Sequence, residues 1–255
     1  MAIKLGYTLS SEEHDPLTLV RNAQAAATSQ DMSEGRFFLG VGTGEELNEH
    51  ITGARWPGPQ ERLEMLEEAI EVLRLLWEGG YQSHYGKHYT VEQARIFTLP
   101  DEPPPIAVAA AQPNAAELAG RLGDALITTS PDEELRGEFE KVGGKGKPRY
   151  GQLHVSVADT EEEGLQQALE LWPNAAMGGP LGQELATTAH YEAVAELVRE
   201  DDLAESVVSG ADPGKHLEAI REYEQAGFTH VFVHQIEQDQ DAFLRLYADE
   251  ILPNL

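Results

Sequence analysis

The chain has 255 residues, room for one large α/β domain or two small ones, with 45 acidic against 18 basic side chains and a formal charge of −27. That balance excludes a nucleic-acid or anionic-membrane partner, since both need a positive surface; zero cysteines exclude disulfides, thiolate nucleophiles and cysteine-ligated zinc. The acids run through the whole chain while apolar periodicity survives between them, which implies a folded protein and fits high salt, where screening removes most self-repulsion, an acidic mesophilic protein being the alternative. The N-terminus MAIKLGYTLSSEE has no positive segment followed by an apolar run. No apolar stretch reaches the ~20 residues that span a bilayer, so a cytoplasmic location is expected.

In chain order, IKLGYTLS (3–10) reads as a strand and Pro16 to Gln30 as a helix. RFFLGVG (36–42) is the second strand. Residues 59–80 give the clearest helix, with Leu63, Leu66, Ile70, Leu73 and Leu76 on one face, Pro59 at its start and Gly79 beyond its end. Residues 81–96 form an inserted antiparallel hairpin with Gly86 at the turn, and 103–110 a third core strand leading into a helix over 114–122. DALITTS (124–130) is the fourth strand, followed by a helix from Asp132; 149–158 is the fifth, followed by a helix that Thr160 and Glu163 start as a capping box. Residues 174–210 hold a glycine-rich loop (Gly178, Gly179, Gly182) and one or two helices. A helix over 212–227, a sixth strand over 228–236 and a final helix complete the chain. Continuous apolar strands alternating with helices signal a parallel sheet in a single domain, and six strands alone suit an open sheet better than an eight-stranded barrel.

The segment RFFLGVGTGEELNEH (36–50) carries the chemistry. Gly40, Gly42 and Gly44 give G-x-G-x-G, but Glu45 stands where a dinucleotide fingerprint needs its third glycine, and a carboxylate there repels a pyrophosphate. No G-x-x-x-x-G-K-[ST] occurs anywhere in the chain. What remains is a strand end presenting Thr43, Glu45, Glu46, Asn48 and Glu49. Crowding and partial burial raise a carboxyl pKa and fit one such group for acid/base work; the bland alternative is ordinary solvated acids. No H-x-x-x-H pair on a convincing helix supports a metal site. His84 and His88 lie on the hairpin, His230 and His234 share one side of the last strand as packing residues, and KVGGKGKPR (141–149) reads as a solvated loop. Of Trp56, Trp77 and Trp172, only Trp56 lies near the Glu45 loop in sequence.

The stretches GRFFLGVGTGEELNEHITGARWP, RLEMLEEAIEVLRLLW, GKHYTVEQARIFTLP, PPPIAVAAAQPNAAELAGRLGDALITTS and AIREYEQAGFTHVFVHQ together resemble the luciferase-like oxidoreductases. More narrowly, they resemble the coenzyme F420-dependent branch near the F420-dependent glucose-6-phosphate dehydrogenases. The resemblance implies a TIM-barrel-derived parallel β/α fold with F420 at the carboxyl ends of the strands (FMN being the alternative, since the fold hosts both). It makes Glu45 the acid/base residue and adds Thr43 and Asn48 from the same motif. It assigns a backbone phosphate turn to Ala111, Gln112, Asn114 and Ala115, with Gln112 replacing the usual glycine, and Thr129 to the substrate pocket.

Two departures modify that picture. The positions that hold a sugar phosphate carry Asp132, Glu205 and Asp241 or Ala242, so the expected substrate is an alcohol or carbonyl compound and not a sugar phosphate. LVRNA (19–23) runs straight into a stretch resembling the end of the family's third helix, so two βα units, roughly 60 residues at about 30 each, are absent near residues 23–24. The expected fold is therefore a six-strand, opened or rearranged version of the barrel with a hairpin insertion. The family's catalytic histidine has no counterpart, His14 in the first loop being the one candidate substitute and His50 a surface residue. Exposed strand edges would favour a homodimer. A remnant that only binds cofactor or self-associates is the competing reading.

Overall fold

In the computed structural model, which describes residues 16–236 and 240–255, the alanine-rich run after Pro16 forms α1 (Pro16–Met32). The strand expected over 3–10 and the candidate His14 lie outside the described residues. There follow β1 (Leu39–Val41), α2 (Glu46–Glu49), α3 (Pro59–Trp77), β2 (Gln82–Tyr85), β3 (Thr90–Ala94), β4 (Ile106–Ala109), α4 (Pro113–Leu122), β5 (Ala125–Thr128) and α5 (Glu133–Phe139). Next come β6 (Arg149–Ser156), α6 (Glu161–Leu171), α7 (Leu181–Glu184), α8 (Thr188–Ala195), α9 (Glu200–Ala204) and β7 (Val207–Ser209). The chain ends with α10 (Pro213–Gln225), β8 (His230–Gln235) and α11 (Gln240–Leu246). Two units emerge: the described residues up to Ile127 with Glu134–Pro148, and Thr128–Glu133 with Arg149–Leu255.

In the first unit β1, β4 and β5 are parallel, with Val41 opposite Val108 and Val108 opposite Leu126. Side chains alternate along a strand, so Ile106, Val108 and Leu126, all fully buried, share the face that meets Leu66, Ile70 and Leu73 of α3 and Ala116 and Ala119 of α4. Burying each large aliphatic side chain contributes about 1.5–3 kcal/mol. Pro59 supplies φ at the first position of α3, and Gly79 (φ +79°), just beyond its end, provides the left-handed residue that stops it. α1 runs unbroken through residues 23 and 24. The buried Ala23, Ala26 and Ala27 let it approach α3 closely, and Trp77 Nε1 donates to Ala23 O at 3.0 Å.

The β2–β3 pair is antiparallel and forms its own sheet, with Gly86 N–H closing the turn on Tyr89 O at 2.9 Å. The basic stretch 141–149 differs from the expected solvated loop. Lys147 Nζ donates to Gly120 O and Gly123 O, both at 2.8 Å, and so satisfies carbonyls that the C-terminal end of α4 leaves unpaired.

In the second unit β6 pairs in parallel with β7 (His154 opposite Val207) and with β8 (Tyr150 opposite His230). Leu153, Val155 and Val231 pack against Ile220 and Tyr223 of α10 and Phe243 of α11. The capping box at α6 is present: Glu163 N–H bonds Thr160 Oγ1 at 3.2 Å, and Thr160 N–H bonds the Glu163 carboxylate at 3.1 Å. β7 falls inside the segment expected to hold only loop and helices. A three-residue strand is too short to display an alternation, which is why the pattern hid it.

Candidate functional site

The register of β1 on β4 sends residues 43–48 and 110–115 off the same end of the sheet. On the face away from α3 and α4 Gly40, Gly42 and Ala109 are small beside Ile127: a Cβ on Gly42 would lie 3.5 Å from Ala109 Cβ, and one on Gly40 3.6 Å from Ile127 Cδ1. Gly42 and Ala109 are exposed. Gly40, Gly42 and Ala109 put almost no side chain on this face near the strand ends.

Glu45 follows directly, half-buried and with extended backbone, at the position that begins the short helix α2. Its carbonyl accepts from Asn48 N at 3.0 Å and Glu49 N at 3.2 Å. The Asn48 side-chain amide donates to Glu45 Oε2 at 3.4 Å, a long bond made at the exposed side of the turn. Thr43 is half-buried in the same turn. Gly44 (φ +77°) must be glycine: a Cβ there would lie 2.9 Å from Glu49 Oε1 and 3.6 Å from the Trp56 ring.

At the next strand end Ala111, Gln112 and Asn114 are exposed and Ala115 is buried. Gln112 has the extended backbone of an N-cap, and Pro113 at the first helical position has no N–H to offer. Ala115 N–H is taken by Gln112 O at 3.1 Å, so among the N–H groups opening α4 Asn114 is the donor left to face an anion. Thr129 is exposed, beyond β5. Thus Thr43, Glu45 and Asn48 sit in one turn, with Gln112 and Asn114 on the adjoining strand end.

The histidines are otherwise engaged. His50 Nδ1 lies 3.1 Å from Glu46 O. His84 Nε2 pairs with Glu68 at 2.9 Å and His88 Nε2 lies 3.7 Å from Glu64. In the second unit His154 and His234 approach Nδ1 to Nδ1 at 3.0 Å, and Trp172 stacks edge-on against His234. Burial, with His234 beside it, pushes His154 down to about 4. Among the described residues no group of three or more His, Cys, Asp or Glu could hold a metal, and no helix is long and apolar enough to cross a membrane.

The residues that sequence reasoning missed line a cavity of about 300 Å³ behind the turn, where Tyr89 of the hairpin and Arg62 of α3 meet Thr43 and Glu49. Arg62 lies over the Trp56 ring, 4.2 Å from its centroid. Trp56 carried the one sequence signal for this wall; Tyr89, forty-odd residues along the chain, carried none.

A parallel β/α sheet with an acid-bearing glycine turn at a strand end defines a class, and comparison defines the family. The model of the luciferase-like monooxygenases matches residues 13–230, and the chain belongs to that family. An F420-dependent glucose-6-phosphate dehydrogenase of Nakamurella multipartita is 34% identical over 244 residues, covering 91% of this chain and 72% of the relative. An F420-dependent secondary alcohol dehydrogenase in complex with an F420–acetone adduct has a TM-score of 0.82 at 24% identity, covering 91% of this chain and 74% of that one. The coenzyme F420-dependent tetrahydromethanopterin reductase of Methanopyrus kandleri has a TM-score of 0.72 at 18% identity, covering 92% and 79%. The fold is accordingly a TIM-barrel-derived parallel β/α fold, with six parallel strands among the described residues where a full barrel has eight.

Proposed function

We propose that the protein is a coenzyme F420-dependent oxidoreductase acting on an alcohol or carbonyl substrate that carries no phosphate. The observation that carries this reading is the Glu45 carboxylate, held by Asn48 at 3.4 Å beside the open Gly42–Ala109 surface. The residues fit the cofactor: small strand residues leave room for a planar ring, and the Asn114 N–H, opening α4, suits an anionic oxygen. When bound, F420 supplies the hydride chemistry. Glu45 gives or takes the proton at the substrate oxygen, and Asn48 holds the carboxylate in its working orientation. By the family resemblance, the positions that would hold a phosphomonoester carry Asp132, Glu205 and Asp241 or Ala242, in a chain of net charge −27, which argues for a neutral substrate.

The test is a fluorescence titration with oxidised F420 in molar potassium chloride, with FMN alongside, followed by a substrate screen by loss of F420 absorbance. Saturable F420 binding, retained in Glu45→Gln while turnover falls by about 10²–10⁴-fold, is the expected result. A folded protein that binds neither cofactor would leave the remnant reading in its place.

A further inference from the structure

We propose that the cavity behind the Glu45 turn is a binding site for a compact, neutral carbonyl compound of about one ring. The site lies wholly within the first unit and does not depend on the cofactor reading. Its key group is Tyr89, which lines the cavity at 6% exposure. The Tyr89 hydroxyl has no hydrogen-bond partner among the described residues, yet it is not sealed off from open space. A phenol that lines a cavity, has no partner among these residues and stays accessible is free to donate to a group that enters it.

The chemistry of the walls fixes the ligand class. Burial, together with the nearby carboxylates of Glu68 and Glu49, pushes the Tyr89 phenol up to about 12, so it stays a neutral donor and wants an acceptor oxygen. Met65, Leu66 and Ala69 of α3 give an apolar floor, and the Trp56 ring gives a flat side. Of the two cations on the wall, Arg62 is 4% exposed, donates through Nη1 to Pro57 O at 2.7 Å and lies over Trp56, and the exposed Arg55 bonds both carboxylate oxygens of Glu61 at 2.9 and 2.7 Å. Glu49 on the wall offsets the arginines, and the apolar floor offers a charged group no replacement for its water. At the ~30 Å³ that a water occupies in the liquid, the volume amounts to about ten non-hydrogen atoms. A ring bearing one carbonyl has that size.

Acetophenone is the probe, titrated in molar potassium chloride into the full chain without cofactor, with benzoate and benzylammonium as charged counterparts. Trp56 fluorescence and calorimetry report binding. The expected result is saturable acetophenone binding, tighter than that of either charged compound. Tyr89→Phe should weaken it about tenfold, the effect of one hydrogen bond. Ala69→Leu, which fills the floor at a 4% exposed position, should abolish it while circular dichroism stays unchanged. Absence of binding by the folded protein, preference for benzoate or benzylammonium, or undiminished binding in Ala69→Leu would each overturn the proposal. Gly42 and Thr43 belong both to this wall and to the turn assigned to F420, so F420 affinity is measured separately, in the absence of acetophenone.

Discussion

Replacing Glu68 by alanine should unfasten the β2–β3 hairpin from α3. The carboxylate is 9% exposed and accepts four hydrogen bonds: from His84 Nε2 at 2.9 Å and from the N–H groups of Lys87, His88 and Tyr89 at 3.1, 2.9 and 2.9 Å. A hydrogen bond to a charged group contributes about 1.5–3 kcal/mol, and a buried donor left alone costs about 1–3 kcal/mol. Lys87 is exposed and its N–H can regain water, whereas Tyr89 is buried and its N–H cannot. The loss should therefore be roughly 3–5 kcal/mol, or about 10 °C of melting temperature in a chain of this size. Urea unfolding and amide exchange at residues 87–89 measure it. A loss below about 1 kcal/mol with those amides still protected would refute the clasp. The pH dependence gives a second check. Burial raises the Glu68 carboxyl, but the bonds from Tyr89, His84 and His88 outweigh it and hold the group below its ordinary 4.5. The folded state thus binds the proton less readily than the unfolded chain. Its contribution is full above the unfolded value and is lost as pH falls through the folded one. Glu68→Gln should remove that acid-side slope.

Gly86→Ala should act on the same clasp, because a Cβ there would lie 1.8 Å from Glu68 Oε1 and 2.4 Å from His84 Nε2; combined with Glu68→Ala, which releases His84 as well, its cost should fall in a double-mutant cycle. Lys147→Met should lower stability by about 1–2 kcal/mol in urea unfolding, since two carbonyls at the end of α4 lose their donor while the aliphatic stem is kept. His154, held down at about 4, binds its proton less readily folded than unfolded, so the protein should lose stability as pH falls from about 6.5 towards 4. His154→Phe should flatten that part of a melting-temperature profile, and an unchanged profile would mean that His154 does not titrate over this range.

Periodicity carried most of the fold. The leucine face of α3, the proline at its start and the glycine after it were readable because helix packing and termination are local chemistry. The same holds for the Thr160–Glu163 capping box, a four-residue signal. β7 was not readable, because three residues show no period and its pairing with β6 is set about fifty residues away in sequence. Lys147 looked like a solvated cation because its partners are carbonyls of residues 120 and 123, and a carbonyl has no sequence identity. At the site, Glu45 and Asn48 share one turn and could be paired on paper. Tyr89 could not, since only the docking of the hairpin by Glu68 brings it to the cavity that Thr43 also lines.

That docking places the turn after β1 between two different surroundings. Alternation along three residues sends Leu39 and Val41 into the helix-covered core and leaves Gly40 and its successor Gly42 on the open face. Glu45 is bonded by Asn48, while Gly42, Thr43, Gly44 and Glu49, around it in sequence, line the cavity. A ligand against Thr43 and Gly44 therefore bears on the backbone immediately preceding Glu45. Linkage then requires that acetophenone change the affinity for F420 by the same factor that F420 changes the affinity for acetophenone, and couplings of this kind run to about 5–150-fold. Two titrations, each in the presence of the other saturated ligand, should give equal factors different from one. A factor of one would mean that the turn is rigid and that its two sides bind independently.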